Sequence, residues 1–122
     1  MKKQVLLYNF EGERLSEVKR TLLPLKTAVR VVEKSDFHQT LGFLTGTEGF
    51  ERNEAPCNAE FDEELLVMSG FVSGDIDALI RAFRNSGVKR VALKAIVTPT
   101  NLHWNGSELY RAVKEDHERM KK

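Results

Sequence analysis

Cysteine is nearly absent from this chain. Cys57 is the only cysteine among 122 residues, so no intrachain bridge can form, which fits a reducing compartment. Neither sign of charge dominates. Nineteen Lys and Arg against eighteen Asp and Glu leave a net charge of +1, without the basic excess that nucleic-acid binders carry, so a polyanion is not the expected partner. Long apolar runs are missing too. The first, Val5-Leu6-Leu7-Tyr8-Asn9-Phe10, soon meets Glu11 and Glu13, and it lacks the apolar length and cleavage site of a signal peptide. No run reaches the length of a membrane span. The expectation is a cytoplasmic protein with no membrane partner, built as one domain, since 122 residues suffice for one core and not for two.

Signature motifs are equally scarce. There is no G-x-G-x-x-G or G-K-[ST] string to cradle a nucleotide. His38, His103 and His117 show neither H-x-x-x-H nor mixed Cys/His spacing, so no metal site is indicated, and no cofactor is named by any motif. No Ser/His/Asp order or paired-carboxylate motif stands out, and Asp62-Glu63-Glu64 reads as a solvated charge run. Cys57 has no neighbouring His or basic helix end to activate it.

What is present is a repeated pattern. Val5–Phe10 and Leu65-Leu66-Val67-Met68-Ser69-Gly70-Phe71 are short apolar runs that do not alternate, as expected of strands covered on both faces. After the first, Leu15, Val18, Leu22 and Leu25 recur at helical spacing, with Pro24 set to end that helix. After the second, Ile76, Leu79, Ile80 and Phe83 do the same, with Ser73 as a candidate N-cap and Gly87 as a stop. Each helix leads to another strand, Ala28-Val29-Arg30-Val31-Val32 in one unit and Val91–Val97 in the other. A shift of 61 residues brings Phe10 onto Phe71, Leu15 onto Ile76 and Leu22 onto Phe83, an echo any two β-α units could give.

The predicted fold is therefore a single α/β domain of two β-α-β units. Its four-stranded, mostly parallel sheet runs in the order 2-1-3-4 with helices on both faces. The alternative is a ferredoxin-like two-layer α+β sandwich, whose bare sheet face would call for a homodimer. Between the units, Ser35-Asp36-Phe37 opens a short helix through Leu44. Residues 45–64, rich in Gly, Asn and Glu, then form a long loop expected to be mobile. At the end, Asn105 and Glu108 have capping-box spacing, and Trp104 and Leu109 have the spacing of a hydrophobic staple. The last helix carries only a narrow apolar stripe of Leu109, Val113 and Met120, suited to one edge or a partner.

Three strings occur in order: Leu6-Leu7-Tyr8-Asn9-Phe10, Leu66-Val67-Met68-Ser69-Gly70-Phe71 and Ala92-Leu93-Lys94-Ala95-Ile96-Val97-Thr98-Pro99-Thr100-Asn101. Together they resemble a domain-of-unknown-function family of small clostridial and related Firmicutes proteins. The resemblance implies a cytoplasmic bacterial protein with one α/β domain, and it implies no activity.

A ligand in a parallel sheet binds beyond the carboxyl ends of the strands. That points to Asn9 after the first strand, Ser69 and Gly70 after the third, and Thr98, Thr100, Asn101 and His103 after the fourth. These residues suit a small polar or anionic ligand, and Gly70 precedes a helix whose free amides would face an anion. The same residue types are the ordinary makers of turns, and for Thr98 and Asn101 turn-making is the first expectation. Lys94 interrupts an apolar strand. It is either an edge-strand guard against stray pairing, the favoured reading, or a buried amine with altered chemistry. Three functions follow: a module binding a small polar ligand, an adaptor or regulatory subunit holding a protein partner, and an enzyme using Lys94 or His103.

Overall fold

The computed structural model describes residues 3–57 and 61–120. Met1, Lys2, residues 58–60 of the long loop and the Met120 side chain of the last stripe lie outside the described residues. Four strands, β1 (Gln4–Tyr8), β2 (Ala28–Val32), β3 (Leu65–Ser69) and β4 (Leu93–Ile96), form one sheet in the order β2-β1-β3-β4. The strand order is the one expected from two adjacent β-α-β units. Both outer pairings, β1 with β2 and β3 with β4, are parallel. The central pairing of β1 with β3 is antiparallel, with Leu6 opposite Val67, so the sheet is mixed.

The central strands are buried on both faces, which is why neither alternates in hydrophobicity. Leu6, Tyr8, Leu65 and Val67 join one core, while Val5, Leu7, Leu66 and Met68 join the other. The second core is covered by α1 (Gly12–Leu22) and α3 (Ser73–Ser86), through Val18, Leu22, Leu79 and Phe83. The first is covered by α4 (Gly106–Met120), the single turn α2 (Leu41–Leu44), and Phe37 and Phe61. Helices on both faces make this the three-layer arrangement rather than the two-layer alternative.

Local signals account for most boundaries. The first α-helix stops at Leu22, and Leu23–Leu25, with Pro24 near its start, continues as one 3-10 turn closed by Lys26 in the left-handed region. Helix α3 ends on Gly87 at φ 75°, the conformation a glycine adopts without steric cost. Its N-cap is Val72 rather than Ser73, because the Asp75 carboxylate accepts from the Val72 N–H at 3.0 Å. The capping box of α4 is complete: Asn105 N–H donates to Glu108 at 2.9 Å, and Glu108 N–H donates to the Asn105 side chain at 2.9 Å. A Cβ on Gly106 would stand 2.7 Å from the Tyr8 ring and 3.1 Å from the Phe37 carbonyl, so α4 can start this close to the sheet only on a glycine.

The segment expected as one short helix from 35 to 44 is instead a 3-10 turn at Lys34–Asp36 followed by α2, capped by Thr40. The described part of the long loop is anchored. Asn53 N–H donates to the Gln39 side chain at 2.7 Å, Gln39 Nε2 donates back to the Asn53 carbonyl at 3.0 Å, and Arg52 pairs with Asp36 at 2.9 Å.

Candidate functional site

The antiparallel centre of the sheet decides which predicted site residues can meet. The carboxyl end of β1 lies beside the amino end of β3, since Tyr8 pairs with Leu65 and Gln4 with Ser69. Asn9 is therefore separated from Ser69 and Gly70 by the length of a five-residue strand, about 15 Å. The expected convergence fails there, because the ends of β1 and β3 share an edge only when those strands run parallel. Asn9 has its own structural task. At φ 66° it turns the chain, and its side-chain amide donates to the carbonyls of Phe61 at 2.9 Å and Glu63 at 3.0 Å.

Ser69, Gly70, Thr98, Thr100, Asn101 and His103 do lie toward one edge, after two parallel strands. Most of the hydrogen-bonding capacity there is spent locally. Asn101 is buried; its side-chain oxygen accepts from Thr98 N–H at 2.7 Å, and its amide donates to the Ile96 carbonyl at 3.0 Å. Thr98 Oγ1 in turn accepts from Asn101 N–H at 3.2 Å. Thr98 and Asn101 thus close a turn, the task expected of them first. Thr100 is exposed and caps nothing, and exposed His103 has its ring centre 5.0 Å from that of Phe50. Gly70 sits at φ 76°, but the Asp75 carboxylate already occupies the start of the helix after it, and Lys3 pairs with that carboxylate at 3.3 Å. The hydrogen bond from Val72 N–H, with Lys3 assisting, holds Asp75 below the usual aspartate range. An anion arriving there would meet a negative charge.

A different place offers more. Between the C-terminal half of α3 and the start of β4 runs a groove of about 410 Å³, within the roughly 300–1,000 Å³ typical of ligand sites. Leu79, Phe83 and Val91 give it an apolar floor, and Ile80 stands at its rim 40% exposed. Arg84, Arg90 and Lys94 line it with positive charge. Among the described residues, neither Arg84 nor Arg90 has a carboxylate within ion-pair distance. The last turn of α3 accounts for Arg84 in part, since a cation is favoured at a helix C-terminus. No such argument covers Arg90.

Lys94 is the edge-strand residue it was expected to be, because β4 ends the sheet. Its ammonium is half-buried and donates to the Val91 carbonyl at 2.6 Å. Burial, with the Arg90 charge assisting, lowers its pKa below the ordinary lysine value. The loop carrying Arg90 is fixed from across the molecule by Arg14. That guanidinium grips Glu64 through two bonds, at 3.0 and 3.1 Å, and donates to the carbonyls of Lys89 at 2.5 Å and Arg90 at 3.4 Å.

Sequence reasoning passed over this groove, although a signal was there. Residues 81–94 contain five Lys and Arg and no Asp or Glu, in a chain of net charge +1. A second groove of about 410 Å³ lies on the other face of β4, against α4, where Ala95, Trp104, Leu109, Ala112 and Val113 form an apolar wall with Asp116 and His117 beside it. The two grooves flank the open edge of β4.

Among the described residues no cluster of three or more His, Cys, Asp or Glu is placed to hold a metal ion, and no helix is long and apolar enough to cross a membrane. No curated protein and no solved structure was found to match the chain. Residues 64–120, which run from the start of β3 through α4 and include every residue lining both grooves, match the family described as Domain of unknown function (DUF3783).

Proposed function

We propose that this domain is a binding module and that the α3/β4 groove is its ligand site, taking an anion that carries an apolar body. The observation behind this reading is the trio Arg84, Arg90 and Lys94 around an apolar floor, with both guanidinium groups lacking an acidic partner among the described residues. Charge-assisted hydrogen bonds to such cations contribute about 1.5–3 kcal/mol each, more than neutral ones, so the site favours a carboxylate or phosphate over an uncharged analogue. The floor favours a ligand with hydrocarbon or aromatic surface next to the charge. This keeps the small anionic ligand expected from the sequence and moves it from the strand ends to the flank of β4.

The test is a thermal-shift comparison of octanoate and phenyl phosphate with octanol and phenol, on wild type and Arg84→Ala/Arg90→Ala. An anion at one hundred times its dissociation constant should stabilise the wild type by about 2.7 kcal/mol and the double variant far less. Equal shifts in both proteins, or none with either anion, would refute the assignment. Affinity should also fall as pH rises, beginning below the ordinary lysine range, because the depressed pKa makes the Lys94 ammonium lose its proton early.

A second reading places the ligand at the far edge, among Ser69, Gly70, Thr98, Thr100 and His103. Exposed Thr98, Thr100 and His103 support it, with Asn101 as the residue holding the turn in shape. Asn9 takes no part in it. A ligand whose thermal shift survives Arg84→Ala/Arg90→Ala and disappears in Thr100→Ala/His103→Ala would favour this site.

A further inference from the structure

We infer that the anion recognised at this site is carried on an extended protein segment, which adds to the sheet as a fifth strand along β4. The inference rests on the proposed anion site at the α3/β4 groove and assigns it a class of partner. Among the described residues, strand β4 has a neighbouring strand, β3, on one side only. The Val97 N–H donates inward to the Met68 carbonyl at 2.8 Å, so alternation along the strand turns the backbone groups of Lys94 and Ile96 outward. The Ile96 carbonyl is taken by Asn101 Nδ2. The Lys94 N–H, the Lys94 carbonyl and the Ile96 N–H have no hydrogen-bond partner among the described residues. An edge with free donors and acceptors is what strand addition uses.

The two grooves supply side-chain selectivity. Successive side chains of an added strand point to opposite faces of the sheet, and directly opposed residues share a face. A residue opposite Lys94 lies on the α3 side, beside Arg84, Arg90 and the Lys94 ammonium, where an acidic side chain fits. Its two neighbours point to the α4 side, where the wall of Ala95, Trp104, Leu109 and Val113 suits apolar side chains. The occupant is thus an extended segment with an acidic residue between two apolar ones. A second copy of this chain is a poor occupant. Antiparallel pairing of two β4 edges about a two-fold axis would set each copy's Lys94, Arg90 and Arg84 against the same cations of the other, and opposed like charges destabilise a strand pair.

The experiment titrates the full chain with a capped heptapeptide alternating valine and glutamate, read by amide NMR and hydrogen exchange. Saturating peptide should slow exchange of the Lys94 and Ile96 amides. Two further peptides are N-methylated on the two alternating sets of backbone nitrogens. Only the set facing β4 should weaken binding, by at least about tenfold, which corresponds to ~1.4 kcal/mol. On the protein side, Ile96→Pro removes an outward N–H without touching the β3 pairing, and should weaken the peptide similarly while octanoate binding persists. If both methylated peptides bind like the parent, or if octanoate binds and the peptide does not, strand addition is wrong and the anion site stands. If neither octanoate nor the peptide binds, both are wrong.

Discussion

The two β-α-β units are built on one plan and end differently. An offset of 61 residues carries Gln4–Tyr8 onto Leu65–Ser69 and the first residue of α1, Gly12, onto the first residue of α3, Ser73. The same offset carries Leu6 onto Val67, and these two residues face each other across the central pairing. Opposed residues that are also equivalent imply an approximate two-fold axis through that pair, perpendicular to the sheet. The echo seen in the sequence is therefore spatial: Leu22 and Phe83, and likewise Leu15 and Ile76, occupy matching places in one core. After the helices the offset changes to 65, from Ala28 to Leu93, because α3 is three residues longer than α1 and the segment after it is one residue longer. That is where the units part. Val29, opposite Val5, packs onto the core, whereas its counterpart Lys94, opposite Leu66, puts an ammonium at that place and helps form the cationic groove.

What the units share should be the costliest to break. Leu66 is fully buried in a central strand, in the core that both α1 and α3 cover. Leu66→Ala should lower stability by about 3–4 kcal/mol in urea denaturation, the loss of transfer energy plus an unfilled cavity. A loss under 1 kcal/mol would mean that the two helices close the gap by moving.

The next prediction sets one ion pair against its counterpart. Arg14 binds Glu64, and shifting both by 61 gives Asp75 and Lys3, which also pair but with the charges exchanged. Each pair ties one unit to the other. Arg14 is the better buried and makes four hydrogen bonds, whereas Lys3 makes one at 3.3 Å. Arg14→Ala should cost about 2 kcal/mol, and Lys3→Ala less than about 0.5 kcal/mol. Arg14→Ala should also weaken anion binding, since the loop holding Arg90 loses its anchor. Equal costs for the two variants would show that the carbonyl contacts of Arg14 contribute nothing.

Helix ends give a smaller contrast. Gly87 at φ 75° and Lys26 at φ 53° both close a helical segment in the left-handed region, where a side chain is strained and glycine is not. Gly87→Ala should lose about 1 kcal/mol and Lys26→Gly should gain a few tenths. Thermal melts of the two variants should move in opposite directions, and a stabilised Gly87→Ala would contradict the assigned backbone.

Much of this architecture was legible because it is locally encoded. Burial on both faces shows as non-alternating runs at Val5–Phe10 and Leu65–Met68, Pro24 ends one helix, and Asn105 with Glu108 starts another. The sense of the central pairing was not legible, since no residue within β1 or β3 carries strand direction, and that sense alone moved Asn9 to the far edge. The candidate site was partly legible. Thr98 and Asn101 are turn residues as the first expectation had it, and Lys94 stood out as an odd residue in an apolar strand. Its partners Arg84 and Arg90 come from a helix end and a loop. Their convergence depends on packing, and only the run of five cations between 81 and 94 hinted at it.

The exchange of Val29 for Lys94 allows the sharpest test of what the second unit gains from differing. Lys94→Val would make the second unit resemble the first at this position. The variant loses one hydrogen bond to the Val91 carbonyl and removes a half-buried ammonium whose depressed pKa records the cost of keeping it charged there. A lysine with a lowered folded-state pKa withholds stability at neutral pH, where both states are charged, and returns it as pH rises through the interval between its folded and unfolded pKa values. Lys94→Val should therefore raise stability at pH 7 and flatten that alkaline rise. It should also weaken octanoate binding by about tenfold or more, one charge-assisted contact being worth at least ~1.4 kcal/mol. A stabilised protein that no longer binds the anion would mean that the second unit keeps Lys94 for the ligand at the expense of its own packing. A destabilised protein that binds as before would make Lys94 a strut for the Val91 turn, and the two units would then differ in construction alone.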